Sequence, residues 1–109
     1  MERIYNKLVR DNIPEKIKSN GEMPIIRTLS FDEYKIELEK KLYEEYLEVI
    51  DAKGEDRLEE LADMLEVIKA LAITEGYSFE DIINSAKEKA HKRGAFKEKI
   101  FLEKVVVND

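Results

Sequence analysis

The sequence predicts a mainly α-helical protein: a single domain over residues 1–109, built as an antiparallel bundle of about four helices with a small two-stranded β element near residues 23–29 and 100–107. Three observations lead there. Apolar residues recur at helical spacing through two long segments that meet at Gly54. Ser30 and Ser78 each open a helix-start signature. The runs that read as strands are short and lie outside the long helical segments. A chain of this length supports one hydrophobic core.

Taken in order, the opening I-Y-N-K-L-V-R-D-N-I-P-E-K-I-K-S-N-G mixes apolar anchors (Ile4, Leu8, Val9, Ile13, Ile17) with Lys7, Arg10 and Lys16. Pro14 suits the first turn of a short helix, and Asn20-Gly21 suits its end. Met23 to Leu29 is partly β-branched and carries a proline near its start, as an edge strand tolerates. Ser30 then begins S-F-D-E, a capping box with Glu33 three positions on. A long acidic helix follows and breaks at Gly54. The next runs from about Asp56 to Glu75, with Gly76 as its stop. Ser78 to Asp81 caps a further helix that continues to Arg93 and ends at Gly94. Its basic last turns suit a helix C-terminus. Ile100 to Val107 reads as the second strand, and pairing it with residues 23–29 is the economical way to satisfy both.

Composition removes several function classes. No apolar run approaches the roughly 18–20 residues that span a bilayer, and M-E-R-I-Y-N-K lacks a signal peptide's hydrophobic segment, so the expectation is a soluble, cytoplasmic protein with no membrane partner. The absence of cysteine excludes disulfides, thiolate catalysis and cysteine-bound zinc. A net charge of −6 argues against a nucleic-acid duplex as partner, because such binding rests on a basic surface.

The informative stretch is Glu44 to Asp63. On two helices meeting at Gly54, Glu45 and Glu48 lie one turn apart on the first, and Glu60 and Asp63 one turn apart on the second. Glu48 and Glu60 are each six positions from Gly54, and Glu45 and Asp63 each nine. In an antiparallel hairpin the inner acids stand about 9 Å from the turn and the outer ones about 13–14 Å, so the four face each other in two rungs. Placed at 100° per residue, Glu45 falls inside the apolar arc of its helix, Glu48 at the edge, and Glu44 away from it; Glu60 and Asp63 lie within the apolar face of the second. Carboxylates on a buried face repel and lose hydration, and a divalent cation compensates both costs. The competing explanation is chance: 40% of the chain is charged, and E-x-x-E spacings arise readily on solvated helices.

Other chemistries are weaker. Glu88-Lys89-Ala90-His91 matches the E-x-x-H of di-iron bundles, which need it twice, and His91 is the sole histidine. An all-oxygen acid cluster suits Mg²⁺, with Mn²⁺ possible. The four glycines (21, 54, 76 and 94) are isolated, so there is no P-loop. Any phosphate contact then falls to metal and to basic side chains, for which Lys7 and Arg10 near one end and Lys92 and Arg93 near the other are the candidates.

E-E-Y-L-E at 44–48 followed by E-L-A-D at 60–63 resembles the E-E-x-x-E and E-x-x-D metal signature of the MazG-like, all-α nucleoside triphosphate pyrophosphohydrolases. Y-N-K-L-V-R-D-N-I-P-E near the start and K-R-G-A-F before the last apolar run are similar to a small single-domain house-cleaning branch that acts on noncanonical nucleotides. The resemblance spans nearly the whole chain. It implies Mg²⁺-dependent hydrolysis of a nucleoside triphosphate to monophosphate and pyrophosphate. Glu45, Glu48, Glu60 and Asp63 take the ligand positions; Glu48, or alternatively Glu44, orients or deprotonates the attacking water; Lys7, Arg10, Lys92 and Arg93 contact phosphates. Only eleven residues separate Glu48 from Glu60, which is short for that superfamily. A homodimer or homotetramer is implied as well, in keeping with apolar faces broader than one small chain covers. The alternative is a non-catalytic helical oligomerisation or partner-binding module with a structural metal site.

Overall fold

A computed structural model describes residues 1–108. Four helices carry the chain: α1 (Ile13–Ser19), α2 (Phe31–Asp51), α3 (Gly54–Thr74) and α4 (Phe79–Arg93).

Each boundary has a local cause. Pro14 fills the first turn of α1, where its missing N–H costs nothing. The Ser30 hydroxyl accepts from the Glu33 amide at 3.2 Å while the Glu33 carboxylate accepts from the Ser30 amide at 3.1 Å, which starts α2. Arg27 donates to the same carboxylate at 3.0 Å, and these bonds hold the Glu33 carboxyl down at about 2. Ser78 and Asp81 repeat the reciprocal arrangement at the start of α4, with bonds of 3.1 and 2.8 Å. Gly54, expected as the break between two helices, is instead the first residue of α3, entered with a φ of +58° after a connection of Ala52 and Lys53. The left-handed backbone there is the reason for a glycine.

The organising unit is the hairpin of α2 on α3, and α4 leans on α3. Arg57 ties the hairpin near its turn by donating from Nε to the Val49 carbonyl at 3.0 Å. Between α2 and α3 lies a thin core: among the described residues only Leu38 and Val67 are buried apolar side chains. The molecule is long, 69 × 33 × 27 Å, with a radius of gyration of 19.1 Å against about 13 Å for a compact domain of this length.

The anticipated two-stranded β element is absent from the described residues. Residues 23–29 form irregular chain, with Met23, Ile25 and Ile26 exposed, and residues 100–107 do the same, with Phe101 exposed. A lone pair of strands is marginal unless one face is covered. Here most residues of both segments are exposed, so pairing them within one chain would gain little beyond the hydrogen bonds. None of the helices of the described residues is long and apolar enough to cross a membrane.

Candidate functional site

The α2–α3 hairpin brings three of the four expected ligands together. One carboxylate oxygen from each of Glu45, Glu60 and Asp63 lies within 4.8 Å of the others. Glu45 is buried, its side chain 9% exposed, while Glu60 and Asp63 are half-buried and Glu48 is exposed at the edge. Counting outward from Gly54 gave two rungs, Glu48 with Glu60 and Glu45 with Asp63; the structure groups Glu45 with both Glu60 and Asp63 and leaves Glu48, the more exposed acid of α2, outside that trio.

The electrostatics follow from that placement. Burial, then the neighbouring Glu48 carboxyl, pushes the Glu45 carboxyl up to about 7, with Lys41 pulling the other way from 3.9 Å. The Glu60 carboxyl is also raised, first through a hydrogen bond with Glu48 and then through burial. Oε2 of Glu45 and Oε2 of Glu60 are shielded from solvent and accept no hydrogen bond from the protein. A buried polar atom without a partner is costly, and an acid so placed requires an explanation. Glu48 and Glu60 also line an open groove of about 300 Å³ with Asp51, Ala52 and Asp56, next to the cluster and close to the hairpin turn.

The donor set fits a hard divalent cation. Octahedral Mg²⁺ at about 2.1 Å from each oxygen places neighbouring ligands about 3 Å apart and opposite ones about 4.2 Å apart. The separations in the cluster therefore need only a modest contraction, within reach of side-chain rotation.

The remaining candidates divide. Glu44, alternative to Glu48 as the base, is turned to Lys7, whose ammonium lies 3.7 Å from its Oε1. Arg10 donates from Nη2 to Oδ1 of Asp63 at 2.7 Å. Lys7 and Arg10 therefore sit against acids of the α2–α3 hairpin. Lys92 instead bonds Glu88 on its own helix at 3.1 Å, and it lines a separate shallow groove with Arg93, Ser85, Glu88 and Lys89. Two features escape a reading of motifs: Lys41, four residues before Glu45, as a close cation, and Asp51 and Asp56 as groove walls. Both carry a signal in hindsight, because i, i+4 pairing and proximity to the hairpin turn are countable.

No protein-family model matches the chain, and no solved structure gives a significant match. An uncharacterized protein of Mycolicibacterium smegmatis is 52% identical over 50 residues, which is 46% of this chain and 51% of that protein. The match thus covers about half of either protein.

Proposed function

We propose that this protein is a Mg²⁺-dependent nucleoside triphosphate pyrophosphohydrolase, of the MazG-like kind that its acid signature resembles. The observation that carries the reading is Glu45, a buried carboxylate with an unpartnered oxygen, set against Glu60 and Asp63 on the facing helix. A chance pattern of surface glutamates would leave its members solvated. Glu45, Glu60 and Asp63 would hold the cation, with Glu48 completing the set from the groove side. Bound there, Mg²⁺ supplies Lewis acidity and makes a nearby water a better nucleophile at neutral pH.

The chain's own residues do the rest. The triphosphate lies along the groove beside the cluster. Glu48, exposed at the edge, orients a water and accepts its proton as the oxygen attacks the α-phosphorus. The bond from that phosphorus to the α–β bridging oxygen breaks, and pyrophosphate leaves with the electron pair. Within one chain Arg10 and Lys7, rather than Lys92 and Arg93, are the cations next to the acids, and they neutralise the departing phosphates. Backbone cradles for the β- and γ-phosphates, as in P-loop enzymes, are not part of this design, so selective γ-transfer is disfavoured.

The active form is an oligomer in which a second copy completes the helix bundle. The chain exposes 10308 Å² of surface. A compact monomer of 12.8 kDa exposes about 6,300 Å². The excess, about 4,000 Å² per chain, is more than the roughly 1,000–2,500 Å² that each partner commonly gives to one obligate interface, so it leaves ample surface for an oligomer to cover. The same excess favours the second reading, a helical oligomerisation module whose metal is only structural.

Hydrolysis in ¹⁸O-labelled water separates the readings. The pyrophosphohydrolase puts the label in nucleoside monophosphate and releases unlabelled pyrophosphate. Label in inorganic phosphate with accumulating diphosphate refutes the bond assignment; no turnover of any canonical or modified triphosphate favours the module.

A further inference from the structure

We infer that Arg10 is the resident counterion of the acid cluster and is exchanged when a divalent cation enters, its guanidinium passing from Asp63 to the phosphates of the incoming ligand. The inference rests on the metal-site reading above and concerns how the site is filled.

The contact joins residues 53 positions apart, so it is a product of the fold rather than of helical proximity: Nη2 of Arg10 meets Oδ1 of Asp63 at 2.7 Å. The backbone behind Arg10 is held. Its carbonyl accepts from the Ile13 amide at 3.1 Å as α1 begins, and Leu8 beside it is half-buried. Asn6 takes a left-handed φ of +45°, a conformation asparagine tolerates better than most residues, and so turns the chain just before Lys7. The Arg10 side chain, by contrast, is 56% exposed, with its guanidinium hydrogen-bonded to Asp63. A fixed stem with an exposed cationic head is what an exchangeable counterion needs.

Electrostatics give the direction. Asp63 cannot serve a guanidinium and a divalent cation without cost, because an ion ligated by its carboxylate lies within a few ångströms of the guanidinium and repels it. Arg10 therefore lowers the intrinsic affinity of the cluster for a bare cation. Once a triphosphate accompanies the ion, the displaced guanidinium finds oxygens that it pairs with at least as well as a carboxylate. The exchange makes the cluster take metal together with phosphate in preference to metal alone. Lys7 on Glu44, at the longer distance of 3.7 Å, is a weaker version of the same contact.

The test is Mn²⁺ titration, read by electron paramagnetic resonance of the unbound ion, on the full chain without nucleotide. Arg10→Gln should bind Mn²⁺ about two- to fivefold more tightly than wild type, the range set by an exposed ion pair. Arg10→Lys, which keeps the charge, should stay near wild type, and Lys18→Gln, which removes a cation paired to Glu15 on α1, should change nothing. With inorganic tripolyphosphate added, the order should invert and Arg10→Gln should bind the metal–phosphate pair more weakly than wild type. Unchanged or weakened Mn²⁺ affinity in Arg10→Gln overturns the exchange while leaving the metal site standing. Tighter Mn²⁺ binding with no triphosphate hydrolysis in any variant upholds the exchange and rejects the enzymatic reading. A wild type that binds no Mn²⁺ at millimolar concentration rejects both.

Discussion

Replacing Glu45 with glutamine tests the cluster through stability alone. Burial opposes ionisation and pushes the Glu45 carboxyl up to about 7 in the folded protein, against 4.5 for the hydrated carboxyl of an unfolded chain. The folded state therefore holds a proton that the unfolded state has already lost, and stability falls as pH rises through 4.5 and levels off above 7. Two and a half pKa units at 1.36 kcal/mol each make the full penalty about 3 kcal/mol. Below pH 4.5 the acid is neutral in both states and the amide is close to isosteric with it. Urea unfolding of wild type and Glu45→Gln, in chelator and at fixed protomer concentration, should give near-equal free energies at pH 4. At pH 8 the variant should be the more stable by about 2–3 kcal/mol, with the shortfall reflecting the new amide's unpaired N–H groups. A variant equally or less stable than wild type at pH 8 would refute the claim that Glu45 is an uncompensated buried acid.

Three further outcomes are expected. Mg²⁺ or Mn²⁺ should raise the unfolding temperature of the wild type at pH 8, by about 2.7 kcal/mol of stabilisation at a hundredfold excess over the dissociation constant, and the Glu45→Gln, Asp63→Asn double variant should lose the shift in a melting scan. Steady-state turnover should disappear in Glu48→Gln and Asp63→Asn but persist in Glu66→Gln, whose side chain lies on an exposed part of α3; equal losses would defeat the site assignment. Sedimentation should give two or four times 12.8 kDa, and Phe101→Glu, placed in the exposed apolar C-terminal segment, should shift the distribution toward the monomer.

Local chemistry made the helices legible. Ser30 with Glu33, Ser78 with Asp81, Pro14, and the glycines at 76 and 94 act through bonds and backbone angles spanning a few residues, so their effect is written in their spacing. The grouping of three acids was legible for the same reason. Glu45, Glu60 and Asp63 sit at countable distances from one hairpin turn, and helical geometry carries those counts into space. Two things needed the tertiary structure. Whether residues 23–29 and 100–107 pair depends on a surface to cover them, which no run of β-branched residues specifies, and in the single chain both are irregular and largely exposed. The positions of the cations likewise came from the fold. Lys7, Arg10, Lys92 and Arg93 look alike as basic motifs near the two ends of the sequence, yet the path of the chain before α1 sets Arg10 on Asp63 and Lys7 on Glu44, while α4 keeps Lys92 on its own Glu88. Charge is read from composition, but which charge meets which is set by contacts between residues far apart in sequence.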